Sequence, residues 1–247
     1  MPRDRRVSRE LRVVGLPTEL FDRLDLPATA LCRAALDLAR RCEHPAILHH
    51  SLRTFLHARL AAGPLGLVTG ADFDPQELFV ACVLHDVGAS DRYDGPQRFE
   101  VEGADAASHF LASRGVGVAA RRRVWEAIAL HTSPGIAERL GALTRLTRAG
   151  VVSDFCEAPD DVPSAPSAAT PAQRAAFEAL LPRLEVRRWL ADAVVGQALR
   201  NPAKAPASSW PGGLLQAHLA GRHVSADLAE IPAAAGDPAV PAENPAF

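Results

Sequence analysis

Residues 78–88 read LFVACVLHDVG, and this stretch decides the fold. Every residue from Leu78 to Leu84 is apolar, so a helix built from them has no polar face and is buried on all sides. Asp74 suits its N-cap, Pro75 its first position, Glu77 the carboxylate of a capping box, and Gly88 a stop. His85 and Asp86 then arrive together. Burying an imidazole beside a carboxylate is costly unless the two pair with each other, with another charge or with a metal. Taken alone, the dipeptide reads most simply as a hydrogen-bonded pair at a helix end.

Outward from this segment, Ala and Leu dominate, β-branched runs are short, and apolar residues recur at three-and-four spacing, so no strand is needed. Further helices are expected from Thr29, as N-cap, to Cys42, from Pro45 to before Gly63, and from Phe99 to Ser113. Others run over Val118 to His131, Gly141 to Cys156 and Pro171 to Arg200. The stretch APDDVPSAPSAATP (158–171) suits an exposed loop, and IPAAAGDPAVPAENPAF (231–247) has little to bury and is expected to be disordered or draped over the surface. The expected architecture is all-α: one helical bundle over residues 26–220, between an N-terminal extension (1–25) and an irregular Pro/Ala-rich tail (221–247).

Hydrophobic residues at 48 % and charged residues at 23 % argue against global disorder. A net charge of -2 with dispersed basic residues recommends neither nucleic acid nor a membrane surface as partner. Cys32, Cys42, Cys82 and Cys156 fall singly and read as reduced core thiols. The N-terminus MPRDRRVSRELRVVG lacks an apolar run behind its basic residues, and no window reaches the length of a membrane span, so a soluble cytoplasmic protein is expected.

Further nitrogen and carboxylate groups stand on other helices: His49 or His50, His131 and Asp154. Such a set suits zinc, iron or manganese. Singly, His131 reads as a histidine placed favourably at a helix C-terminus and Asp154 as a solvated carboxylate. Amphipathicity does not choose between the adjacent histidines: the apolar face of Leu48, Leu52, Phe55 and Leu56 has His49 on its flank and His50 nearly opposite.

The segments ILHHSLRTFLHARL (47–60), LFVACVLHDVG, AIALHTS (127–133) and VVSD (151–154) together resemble the HD superfamily of metal-dependent hydrolases. With His50-Ser51-Leu52-Arg53, RFEVEGADAA (98–107), LPRLEVRRWL (181–190) and Trp210, the resemblance narrows to its cyanamide hydratase branch, over about Pro45 to Trp210. The resemblance implies metal ligation by His50, His85, Asp86 and Asp154, with His131 at the site. It also implies one divalent transition metal, zinc first and iron or manganese next, and hydration of a small nitrile-like substrate such as cyanamide to urea, with His131 or Asp86 moving the proton.

Glu100 is a candidate to orient His50 or His131, against the alternative of a carboxylate favoured by the helix dipole. Asp91 and Arg53 have similar standing. His109 has the spacing of the extra histidine of dinuclear HD enzymes, which the hydratase branch does not require. Cys82 reads as a core thiol before a soft ligand. The competing enzyme reading is hydrolysis of a nucleotide or phosphate ester, for which the one lysine, Lys204, is remote and Arg53, Arg92 and Arg98 are the available clamps. A non-catalytic helical binding module is the third reading. A small-molecule partner is expected, and Trp125, Trp189 and Trp210 are candidates for a pocket wall or a homo-oligomer interface.

Overall fold

A computed structural model of the chain describes residues 18–155 and 168–221. Among these are ten α-helices: α1 (Thr18–Arg23), α2 (Ala30–Cys42), α3 (Pro45–Ala61), α4 (Pro75–Leu84), α5 (Phe99–Ala112), α6 (Val118–Ala129), α7 (Ala142–Phe155), α8 (Pro171–Leu180), α9 (Val186–Arg200) and α10 (Trp210–Leu219). The fold is all-α, and among the described residues the nearest thing to a sheet is one isolated bridge between Thr69 and Phe73. No described helix is long and apolar enough to cross a membrane. Cys156, the tail and most of the N-terminal extension lie outside the described residues.

Local chemistry sets the helix starts. The Thr29 hydroxyl accepts from Cys32 N at 3.2 Å, and Asp74 Oδ1 accepts from Gln76 N at 2.7 Å, each satisfying an orphan donor of a first turn. Glu77 does not complete a capping box. Its carboxylate instead takes two hydrogen bonds from Arg123, at 2.6 and 2.9 Å, tying the start of α4 to α6. α4 stops at Leu84, short of Gly88, which falls in a 3₁₀ turn over Val87–Ala89. The segment expected as one helix from Pro171 to Arg200 is broken: Pro182 cannot donate a helical hydrogen bond, and Leu184 and Glu185 adopt φ of 49° and 58°. α1 and α10 lie outside the segments expected to be helical.

α4 is packed by α2, α3, α5, α6 and α7, which explains why Leu78 through Leu84 are buried all round. α3 is almost as enclosed, with thirteen of its seventeen residues buried, because α7, α4 and α9 all pack against it. The α3–α7 crossing is close at Gly150, where a Cβ would collide with the Thr54 carbonyl and lie 2.9 Å from the Ala58 Cβ. One turn beyond Gly150 comes Asp154, so this approach brings Asp154 against the N-terminal half of α3. Gly150→Ala is therefore expected to destabilise the protein by about 1–3 kcal/mol, since backbone atoms cannot yield to the added methyl. A lower urea midpoint at unchanged slope would register it.

The turn after Asp86 rests on α5 through glycine as well. A Cβ at Gly88 would collide with the Phe99 carbonyl and lie 2.6 Å from Gly103 N. Gln197 on α9 donates to the Gly88 carbonyl at 2.9 Å, holding the turn from the other side.

Candidate metal centre

His85 and His131 sit just past the ends of α4 and α6, where helical carbonyls lose their intrahelical donors. Each ring supplies one: His85 Nδ1 donates to the Cys82 carbonyl at 2.7 Å, and His131 Nδ1 to the Ile128 carbonyl at 2.6 Å. A carbonyl only accepts, so both Nδ1 atoms carry the hydrogen and both neutral rings present a bare Nε2 lone pair. The same device thus closes two helices and fixes two tautomers.

His50 reaches the same state by another route. Its Nδ1 meets Asp154 Oδ2 at 2.7 Å, and Asp154 is itself held by Arg53, Nε to Oδ1 at 2.7 Å and the second guanidinium nitrogen to Oδ2 at 2.9 Å. Burial would push the Asp154 carboxyl up, but the His50 contact and the Arg53 fork keep it well below the usual range. As an anion it accepts, so His50 donates through Nδ1 and turns Nε2 away from it. Arg53, fully buried, spends its remaining donors on the Leu181 carbonyl at 2.7 Å and the Pro182 carbonyl at 3.3 Å, which the break between α8 and α9 leaves free. His49 meets that Pro182 carbonyl from the flank at 2.9 Å and takes no part in the cluster.

Three lone pairs therefore converge on Asp86. His85 Nε2 lies 3.1 Å and His50 Nε2 3.7 Å from Asp86 Oδ2, His131 Nε2 lies 3.5 Å from Oδ1, and the Nε2 atoms of His50 and His85 are 3.2 Å apart. All four side chains are buried, and neither Asp86 oxygen has a hydrogen-bond donor. With neutral rings this is a set of acceptors with nothing to accept. Only a proton or a cation relieves it. Ligand atoms around tetrahedral zinc, with bonds of about 2.1 Å, stand about 3.4 Å apart. The spacings among His50 Nε2, His85 Nε2 and Asp86 Oδ2 match, and these three residues have one ligand atom each within 4.8 Å of the others, while His131 stands on the side of Asp86 Oδ1. The residues fit a divalent cation.

The electrostatics agree. Burial disfavours ionisation of Asp86, yet the facing His85 and His131 hold its carboxyl well below the ordinary range. Burial likewise disfavours the His85 imidazolium, but Asp86 outweighs it and raises His85, whereas for His50 burial prevails and lowers it. Behind this layer, buried His57 lies 3.8 Å from Asp154 and is pushed down to about 4, first by burial.

Other expected residues lie differently. Asp154 is on the far side of the His50 ring from the Nε2 cluster. Glu100 is fully buried but accepts from Arg98 at 2.7 Å and from the Thr132 hydroxyl at 2.6 Å, reaching neither His50 nor His131. His109 is exposed and donates to Asp105 of its own helix, at a surface cleft with Arg41 and Tyr93, outside the cluster. Asp91 is exposed. The Cys82 thiol is pushed up to about 12 by burial, and the residue serves the site through its carbonyl instead. Lys204 is buried in an ion pair with Asp94 at 2.5 Å, which Arg200 shares. Trp125 donates to Asp105, Trp189 stacks on His44, and Trp210 stands 6.0 Å from the Phe99 ring.

Glu43, which sequence pattern did not single out, is buried near enough to Asp86 for the two carboxyls to repel. Its only hint in the sequence is position, directly before the His44-Pro45 helix start.

No curated protein matches the chain. Comparison with known families finds an HD domain over residues 47–158, the stretch that carries His50, His85, Asp86, His131 and Asp154.

Proposed function

We propose that the protein is a metal-dependent hydratase or hydrolase of small uncharged molecules, with a cyanamide-like nitrile as the leading substrate. The observation that carries this reading is the buried acceptor-only cluster of His50, His85, His131 and Asp86, which has no donor of its own. His50, His85 and Asp86 would hold the cation, leaving a position open, and Asp154 acts through His50 by fixing its tautomer. A divalent ion bound by these residues would lower the pKa of a bound water and so make a nucleophile available near neutral pH. His131, its Nε2 beside Asp86 Oδ1, is placed to take or return a proton. Phe155, 4.3 Å from the His50 ring, and Phe99, 5.7 Å from His131, wall the centre with apolar surface.

The preference for an uncharged substrate comes from the arginines. A phosphate ester needs positive charge to clamp it. Arg53 is committed to Asp154 and two carbonyls, Arg98 to Glu100, and Lys204 to Asp94, while Arg92 is exposed beside the Tyr93 ring. Turnover of cyanamide, other small nitriles, nucleotides and phosphomonoesters by zinc-, iron- and manganese-loaded protein tests the reading. Urea formation from cyanamide is the expected result. Phosphate release without urea would replace it with a phosphohydrolase, and a protein that takes up no metal would leave only a binding module.

A further inference from the structure

Glu43 stands apart in the balance of charge around the centre. Asp154 is matched by Arg53 and Glu100 by Arg98, while Asp86 faces the lone pairs that a cation would bridge. Glu43 is 9 % exposed, and Ser51, the neighbour of His50, gives its Oε2 a single long hydrogen bond of 3.4 Å. Its Oε1 is buried with no partner. The carboxyl does no capping either: at the end of α2 it is the Glu43 backbone N–H that bonds the Ala39 carbonyl, at 2.8 Å. A buried, half-satisfied acid lowers stability. Its position beside Asp86 gives it a use.

We propose that Glu43 is a substrate-contacting residue, its Oε1 hydrogen-bonding the polar atoms of a small uncharged molecule held beside Asp86. The inference rests on the functional reading above and adds the group that selects the substrate. Burial, and then repulsion from Asp86, push the Glu43 carboxyl well above the ordinary range despite the Ser51 contact. The unpartnered Oε1 is an acceptor, which complements the N–H groups of cyanamide and of urea.

The test compares Glu43→Gln and Glu43→Leu with wild type in the zinc-loaded full chain. Both variants are expected to retain about one equivalent of zinc and, after chelation, to melt no lower than wild type. Glu43→Leu should lose roughly a hundredfold in kcat/KM for cyanamide, the order of loss when one positioned hydrogen-bonding group is removed from an active site. Glu43→Gln, which keeps an acceptor oxygen, should lose less than about tenfold. A readout free of turnover is the rise in Tm of zinc-loaded protein on adding cyanamide or urea, expected for wild type and Glu43→Gln and absent for Glu43→Leu. Equal ligand-induced shifts in wild type and Glu43→Leu would overturn the proposal, as would loss of zinc with a lower Tm, which marks a structural role. Wild type that turns over nothing, yet is stabilised by cyanamide in a Glu43-dependent way, would defeat the hydratase reading and uphold Glu43. No turnover and no stabilisation would defeat both.

Discussion

Asp86→Asn is expected to abolish divalent-metal binding and, in metal-free protein, to raise the melting temperature. The amide is the size of the carboxylate but turns one oxygen into a donor, and both Asp86 oxygens now face bare Nε2 atoms without a hydrogen bond. A cluster of acceptors that needs a cation becomes one that satisfies itself. Metal affinity should fall by more than about a hundredfold, beyond the loss typical of a residue that only supports a ligand, and turnover should fall with it. Relief of a buried unsatisfied group is worth about 1–3 kcal/mol, so the chelated variant should melt a few degrees above chelated wild type. Calorimetry with and without chelator reads both effects. If chelator lowers the Tm of wild type and Asp86→Asn alike, the cation does not bind here.

Arg53→Met should have the largest effect on stability. Removing the guanidinium leaves Asp154 buried with only the His50 and His57 rings against it and strips a donor from the Leu181 and Pro182 carbonyls. Breaking one side of a buried ion pair costs about 3–5 kcal/mol, which in a protein of this size is a fall of roughly 10 °C. Pairing it with Asp154→Leu should recover part of the loss, because the stranded charge goes too, while His50 loses its tautomer and metal affinity stays low. A double-mutant cycle in urea, read beside metal content, separates the two roles; stability that does not recover in the double variant would mean Arg53 acts mainly through the α8–α9 break.

The helices were legible where turn chemistry and pattern agreed. Thr29, Pro45 and Asp74-Pro75 mark starts that the structure keeps, and the unbroken apolar run of residues 78–84 names the innermost helix. Pro182 was a visible warning that Pro171–Arg200 is not one helix, masked by apolar periodicity on both sides of it. The histidine pair illustrates a deeper limit. Helical phase does not distinguish His49 from His50 because α3 is buried on nearly every face, so it has no single inward side. What separates them is tertiary: Asp154 comes to His50 over the Gly150 crossing, while the Pro182 carbonyl comes to His49.

The same limit applies to roles. Sequence places Asp154 and Glu100 among candidate site residues, but which atom each faces depends on Arg53, Arg98 and Thr132, distant in the chain and fixed only by packing. Glu43 carries no motif at all, and its interest comes from a partner it lacks. The Nδ1 hydrogen bonds of His85 and His131 are different: a histidine just past a helix end lies within reach of a last-turn carbonyl three residues back, so part of the tautomer argument follows from where α4 and α6 stop.

The most direct test of the centre is anomalous diffraction from crystals of the protein loaded with one equivalent of zinc or cobalt. The expected result is a single ion within about 2.0–2.2 Å of the Nε2 atoms of His50 and His85 and of an Asp86 oxygen, with His131 beside it and Asp154 still on Nδ1 of His50. An ion bound elsewhere, or His50, His85 and Asp86 left bare in loaded protein, would contradict it.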